Sequence, residues 1–126
     1  MYNNDIIKST DLNERLDEIV SDDYAWITDD AIEIPDDELA IHDEYTMLVN
    51  IIDDGKAYNS EWDNGIDLIS AAYFTDYIKQ YYIDMGIVTE ESLNAIVVDW
   101  HKTSNKALSD YNYIVIDCHK YFIRVN

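Results

Sequence analysis

The chain has 126 residues, a length typical of one domain, and 48% of them are hydrophobic, with only 3 Gly and 1 Pro. This composition excludes a disordered acidic tail, because such tails lack the apolar residues that offset chain entropy. The 27 Asp and Glu residues against 8 Lys and Arg give a net charge of −19, which argues against direct contact with nucleic-acid phosphates or an anionic membrane. We expect a basic protein partner, no direct nucleic-acid partner and no membrane partner.

The sequence also predicts the compartment. No apolar run approaches the roughly 20 residues of a membrane span, and the first residues, Met-Tyr-Asn-Asn-Asp, resemble no secretory signal. The single Cys118 cannot form an internal disulfide, which agrees with a reducing environment. We therefore predict a cytoplasmic protein.

The acidic residues are concentrated in the first part of the chain. Residues 1–54 hold 17 of them, with Lys8 and Arg15 as their basic counterparts. An uneven distribution of charge between the two halves of a chain often indicates a functional surface. We divide the chain into an acidic, DNA-mimicking subdomain at 1–54, a connecting loop at 55–65, and a scaffold or dimerisation subdomain at 66–126.

The acidic subdomain begins with a predicted helix. Thr10 is its predicted N-cap, and the apolar residues that follow have the spacing of one helical face, at Leu12, Leu16, Ile19 and Val20. After a predicted turn at 21–23, short strands are predicted at 24–27 and 31–34, and together they would form a small acidic hairpin.

A second helix is predicted at the end of this subdomain. Pro35 and the acidic residues 36–38 suit a first helical turn, and Gly55 is the predicted end. The pattern leaves open whether this is one helix or two. The polar stretch 55–65 is predicted to be a loop anchored by Trp62.

The C-terminal part predicts two helices and a hairpin. Asn64 caps the first helix, which ends before Gly86 and whose apolar face carries Ile66, Ile69, Tyr73, Tyr77 and Tyr81. Thr89 opens the second, with an apolar face at Leu93, Ile96, Val97 and Trp100. Strands at 111–117 and 121–125 form the hairpin. The prediction is an α+β fold of small mixed helices and short antiparallel hairpins, with an acidic N-terminal half and a helix-helix-hairpin C-terminal half.

No catalytic or metal-binding constellation stands out in the sequence. Cys118 and His119 are adjacent, but neighbours on a strand point to opposite faces, which argues against a thiol–imidazole pair. The 3 histidines share no metal-ligand spacing, and the Asp-Gly turns at 53–55 and 63–65 do not fit the calcium loop pattern. We predict a protein that is not an enzyme and that has no cofactor and no metal.

The density of carboxylates is the feature that points to a function. Spread over half of the surface, the 17 acidic residues of 1–54 would lie at about one per 200 Å², within about twofold of the charge density of B-DNA. A cleft lined by Lys and Arg would experience a similar electrostatic field from this acidic surface and from DNA. We hypothesise a DNA mimic whose phosphate surrogates are Asp17, Glu18, Asp22, Asp23, Asp29, Asp30, Glu33, Asp36, Asp37, Glu38, Asp43 and Glu44.

A stripe of tyrosines at helical spacing suits either a core or a dimer face: Tyr73, Tyr77 and Tyr81. The chain has 11 tyrosines, more than one small core needs, and tyrosine suits interfaces. We predict a homodimer whose contacts include these three tyrosines and Trp100.

Two segments carry a resemblance to a known family. Residues 11–35 combine an amphipathic helix and an acidic turn with Trp26-Ile27-Thr28-Asp29 and Glu33-Ile34-Pro35. Residues 76–125 contain Tyr77-Ile78, Tyr81-Tyr82-Ile83, Gly86, Ser92-Leu93, Ile96, Trp100, Phe122-Ile123 and Val125. In order and spacing, these segments resemble the end of the first domain and the last domain of the ArdA-type antirestriction proteins.

The resemblance implies a protein of a phage or mobile element that acts in the host bacterial cytosol. It implies imitation of bent duplex DNA, occupation of the DNA groove of a type I restriction–modification enzyme, and dimerisation through the last domain. The chain is shortened relative to the family, with the middle domain compressed into about 41–65.

Three alternatives stay open at this point. The first is a shorter mimic, an anti-CRISPR protein that blocks PAM or DNA binding by a Cas nuclease, for which a local acidic patch would suffice. The second is an acidic immunity or antitoxin protein that covers a nuclease active site. The third is a calcium-binding or halophilic structural domain.

Overall fold

Five α-helices and four strands make up the part of the chain that the computed structural model describes, residues 2, 4–21 and 39–126. In chain order they are β1 (Ile6–Lys8), α1 (Ser9–Ser21), α2 (Leu39–Tyr58), β2 (Asp67–Ser70), α3 (Phe74–Asp84), α4 (Glu90–Ala95), α5 (Trp100–Ala107), β3 (Tyr111–Ile116) and β4 (His119–Arg124). Single 3₁₀ turns lie at Trp62–Asn64 and Leu108–Asp110. The predicted α+β class is confirmed.

The four strands form one antiparallel sheet in the order β1-β2-β4-β3. Ile6 is opposite Ile69, and Ile69 is in turn opposite Phe122. A strand from the start of the chain is therefore joined, through β2, to the C-terminal hairpin. This pairing brings α1, which follows β1 directly, onto the same sheet as the C-terminal elements.

Helices cover both faces of the sheet. Leu68 belongs to one buried cluster, together with Leu12 of α1 and Leu48 of α2. Its neighbour Ile69 belongs to a second cluster, with Phe74 and Ile78 of α3. Because neighbouring strand residues point to opposite faces, α1 and α2 lie on one side of the sheet and α3 on the other.

Helix α2 is one uninterrupted helix of 20 residues, and it passes through Gly55. The predicted end at Gly55 is therefore wrong. A Cβ atom built on Gly55 would lie 2.1 Å from Cζ3 of Trp62, so this glycine gives the indole ring room to pack against the helix. The predicted role of Trp62 as an anchor agrees with its burial, at 1% exposure.

Two local predictions in the C-terminal part are wrong. Residues 67–70 form β2, and α3 begins only at Phe74, because Ile69 pairs with strands on both sides. The second predicted helix is divided: α4 ends at Ala95, and Asp99 caps α5 by accepting a hydrogen bond from the Lys102 N–H. Val97 lies in the extended link between them and is fully exposed.

Other local signals are confirmed. Thr89 and Ser92 form a capping box at the start of α4. The C-terminal hairpin is also present, but its turn is at Asp117 and Cys118 and not at 118–120 as predicted, because both residues have the positive φ that a two-residue type I′ turn requires. The predicted acidic hairpin at 24–34 lies outside the described residues. Among the helices described, none has the length and apolar character needed to cross a membrane.

Candidate acidic interface

Helix α1 exposes a row of carboxylates opposite its buried side. Leu12 and Ile19 are buried, and four positions on the opposite side of the helix carry acidic side chains that are exposed to solvent. We call these the acidic face: Asp11, Glu14, Asp17 and Glu18. Asp17 and Glu18 are among the predicted phosphate surrogates. Asp11 and Glu14 are not among them, although the helical spacing places them on the same face.

The mean axial density of charge on the acidic face is similar to that of phosphates along one DNA strand. At about 1.5 Å of rise per residue, the four carboxylates are separated by axial steps of about 4.5, 4.5 and 1.5 Å, a mean of about 3.5 Å. Successive phosphates of one DNA strand are separated by about 3.4 Å along the duplex axis. The row is short, so it matches the charge of a few nucleotides of one strand.

The start of α1 is held by side-chain hydrogen bonds to the segment that follows α2. The buried Ser9 Oγ donates to the Trp62 carbonyl oxygen at 2.7 Å and accepts from the Ile66 N–H at 2.8 Å. The Trp62 indole N–H donates to Asn13 Oδ1 at 2.9 Å. These contacts fix α1 against the core, so the exposed carboxylates stand on a rigid support.

Arg15 is the single basic residue of α1, and it forms ion pairs with Glu44 of α2 and with Glu18 of the acidic face. Its Nε lies 2.7 Å from Glu44 Oε1, and its Nη1 lies 3.2 Å from Glu18 Oε2. The hydrogen bond to Glu44 raises the pKa of the Arg15 guanidinium above its ordinary value. Glu44, predicted as a phosphate surrogate, therefore faces a cation, whereas Asp43 next to it is exposed.

The largest group of predicted surrogates lies outside the described residues. These are Asp22, Asp23, Asp29, Asp30, Glu33, Asp36, Asp37 and Glu38. In sequence they connect the end of α1 to the start of α2, and residues 22–38 contain no Lys or Arg. The acidic face is therefore followed directly by the most acidic stretch of the chain.

Most of the basic residues belong to the other side of the sheet or to the helices there. Lys102 and Lys106 lie on α5, and Lys79 lies on α3. Lys120 of β4 stands over the ring of Tyr113, with Nζ 4.4 Å from the ring centroid, and Arg124 is on the same strand. The layer formed by α1 and α2 carries only Arg15 and Lys56, so the charge of the molecule is polarised.

The tyrosine stripe is divided between core and surface. Tyr73 and Tyr77 are partly buried against the cluster of Phe74 and Ile78. Tyr81 is 43% exposed, and Trp100 packs edge-on against Tyr82, with ring centroids 5.9 Å apart. Of the predicted dimer contacts, Tyr81 is therefore the most accessible to a second copy.

The described residues contain no group of three His, Cys, Asp or Glu side chains placed to hold a metal ion. Cys118 is exposed in the hairpin turn, and His119 begins β4. The carboxylates offer a different chemistry, because rows of fixed negative charge attract Lys and Arg side chains and compete with other polyanions for them.

No model of a known protein family matches the chain, and no curated protein or solved structure shows a significant match to it. The resemblance to the ArdA-type antirestriction proteins stays a prediction that rests on the segments named above.

Proposed function

We propose that this chain is a non-enzymatic DNA mimic that inhibits a DNA-binding enzyme of host defence. In this proposal, surface carboxylates occupy the cleft in which the enzyme binds duplex DNA, and the target is a type I restriction–modification enzyme of the bacterial cytosol. The observation that carries the proposal is the acidic face, four exposed carboxylates on one helix. Among the described residues Asp11, Glu14 and Asp17 have no basic partner within 4.0 Å, whereas Glu18 shares Arg15, the single cation of the helix, with Glu44 of α2.

Electrostatics support the choice of partner. A cleft that binds DNA is lined by Lys and Arg side chains, and its affinity depends on the release of counterions from the polyanion. A folded domain with a net charge of −19 is far outside the range of about 2 to 8 that is usual for small soluble domains. Such a charge costs the folded state stability through self-repulsion, and binding to a basic cleft offsets that cost.

The short length of the acidic face favours a second candidate target. Four carboxylates over about 10 Å of helix axis are too few to imitate a long duplex by themselves. A Cas nuclease reads its PAM with a small number of arginines, which a local patch of this size would cover. The two candidates differ in the enzyme that is inhibited and share the surface that inhibits it.

A nuclease assay with matched charge variants tests the proposal. The first variant neutralises the acidic face with Asp11→Asn, Glu14→Gln, Asp17→Asn and Glu18→Gln. The control removes the same charge from four exposed carboxylates elsewhere, with Asp76→Asn, Asp84→Asn, Glu90→Gln and Glu91→Gln. DNA cleavage by a type I restriction enzyme and by a Cas nuclease is then measured with each protein added.

We expect the unmodified chain and the control to inhibit one of these enzymes and the acidic-face variant to inhibit it much less. Equal inhibition by all three proteins would contradict the role of the acidic face. Circular dichroism of each variant verifies that the fold is retained. The homodimer predicted from the sequence is a separate part of this proposal, because inhibition by one acidic face does not require it.

A further inference from the structure

A cavity of about 360 Å³ lies between α3, the end of α5 and the strands β3 and β4. Four tyrosines contribute to its walls: Tyr77, Tyr81, Tyr82 and Tyr111. The volume falls in the range of about 300–1,000 Å³ that is typical of small-molecule sites. Because α3 packs on the sheet face opposite to α1, this cavity is separate from the acidic face.

The cavity is locally cationic in a strongly anionic chain. Lys106 and Arg124 both line it, and Asp110 is the one carboxylate among the described lining residues. Neither cation has a carboxylate within 4.0 Å in the part of the chain that the structure describes. The two positive charges are therefore available to an anion that enters the cavity.

The tyrosine hydroxyls extend this set of donors. Burial raises the pKa of Tyr77 and of Tyr111, while the positive charge of Arg124 acts on both hydroxyls in the opposite direction. A protonated phenol, a guanidinium and an ammonium group all donate hydrogen bonds. The matching ligand group carries several acceptor oxygens and a negative charge, as a phosphate does.

The aromatic walls indicate the other part of the ligand. Tyr81 and Tyr82 have ring centroids 6.0 Å apart. Tyr77 and Tyr111 each pack against the buried Phe74, which does not line the cavity, with centroid separations of 6.4 and 5.0 Å. Rings of this kind stack on planar heterocycles, and each base stacked on an aromatic side chain contributes substantially to binding. The planar ring of such a ligand would stack on the tyrosines, and its phosphate would pair with Lys106 and Arg124.

We propose that this cavity binds a small organic anion that combines a planar heterocycle with a phosphate group, of the nucleoside monophosphate class. Lys106 and Arg124 bind the phosphate, and the tyrosines contact the ring and donate hydrogen bonds. The site does not depend on the acidic face, because none of its lining residues belongs to that face. It does share Tyr77 and Tyr81 with the predicted dimer contacts.

Calorimetric titration with adenosine 5′-monophosphate tests the site, with adenosine and inorganic phosphate as separate probes. We expect saturable binding of the nucleotide and binding at least about tenfold weaker for each fragment, since each one uses half of the site. Arg124→Gln and Lys106→Gln should each weaken nucleotide binding by about tenfold, the loss expected for one hydrogen bond to a charged group.

Lys102→Gln is the matched control, because Lys102 is exposed on the same helix one turn before Lys106 and does not line the cavity. We expect it to leave nucleotide binding unchanged. The proposal is overturned if the nucleotide shows no saturable binding at millimolar concentration, or if Arg124→Gln and Lys106→Gln bind it as tightly as the control does. Adenosine binding as tight as that of the nucleotide would overturn the phosphate assignment.

Discussion

Arg15 of α1 and Glu44 of α2 form a two-point ion pair that joins the two helices on the same side of the sheet. Arg15 Nε lies 2.7 Å from Glu44 Oε1, and Arg15 Nη2 lies 3.3 Å from Glu44 Oε2. The Glu44 side chain is only 16% exposed, so this pair is shielded from solvent. Arg15 Nη1 also lies 3.2 Å from Glu18 Oε2, so its positive charge is shared between α2 and one member of the acidic face.

Arg15→Gln should destabilise the fold, because it leaves Glu44 charged and partly buried without its partner. We expect a loss of about 1–3 kcal/mol in the free energy of unfolding, measured by urea denaturation at neutral pH. Lys56→Gln is the control, since its pair with Asp63 is 3.7 Å long and both side chains are at least half exposed. A loss in Arg15→Gln no larger than that in Lys56→Gln would contradict the structural role of the pair.

Gly55→Ala should destabilise the protein, although glycine-to-alanine changes inside a helix usually stabilise it by about 1 kcal/mol. The added methyl group would overlap the ring of Trp62, and overpacking of this kind costs about 1–3 kcal/mol. Urea denaturation in two backgrounds checks the cause. In Trp62→Leu the same Gly55→Ala change should be neutral or stabilising, and an equal loss in both backgrounds would contradict the proposed clash.

Alkaline pH should unfold the chain in a window set by its buried tyrosines. Burial, together with the negative charge of Glu44, raises the pKa of Tyr2 to about 12. An unfolded tyrosine loses its proton near pH 10, so this contribution to stability is complete below about pH 10 and is lost as the pH rises through about 12. Burial also raises the pKa of Tyr121.

Tyr2→Phe should reduce this loss of stability between pH 9 and 12 by up to about 2–3 kcal/mol, as followed by chemical denaturation at each pH. Tyr113→Phe serves as the comparison, because the Tyr113 side chain is 51% exposed. If both variants lose stability with rising pH as the unmodified chain does, burial of Tyr2 does not determine the pH range of alkaline unfolding.

Sedimentation velocity at several protein concentrations tests the predicted homodimer. Tyr81→Ser is the informative variant, because Tyr81 is the most accessible of the predicted contacts, whereas Tyr73 and Tyr77 contribute to the core. We expect a dimer that dissociates on dilution and that Tyr81→Ser weakens. If the protein sediments as a monomer at every concentration, the predicted homodimer is wrong.

Elements with local signals were predictable from the sequence, and elements formed by distant pairing were not. The amphipathic pattern around Leu12 and Ile19 predicted α1, and Thr89 predicted the start of α4, because capping and helical periodicity act within a few residues. Strand β2 was missed, since Ile69 also continues the spacing of the tyrosine stripe. Its conformation is determined by pairing with Ile6 and Phe122, which are far away in sequence.

The candidate site divides in the same way. The acidic face follows from charge and helical spacing, both of which are visible in the sequence. The pairing of Glu44 with Arg15 was not predictable, because it depends on how α1 packs against α2. The cavity beside Tyr111 and Arg124 was also missed, since it combines residues from three separate segments that the sheet brings together.

The most direct test of DNA mimicry is competition between this protein and duplex DNA for the inhibited enzyme, measured by fluorescence anisotropy over a range of salt concentrations. The account predicts that protein and DNA displace each other completely and that affinity for the protein falls steeply with salt. It also predicts that neutralising the acidic face lowers the salt slope by about one for each carboxylate contact that is lost. An enzyme that binds the protein and duplex DNA at the same time, with a salt slope unchanged in the acidic-face variant, would contradict it.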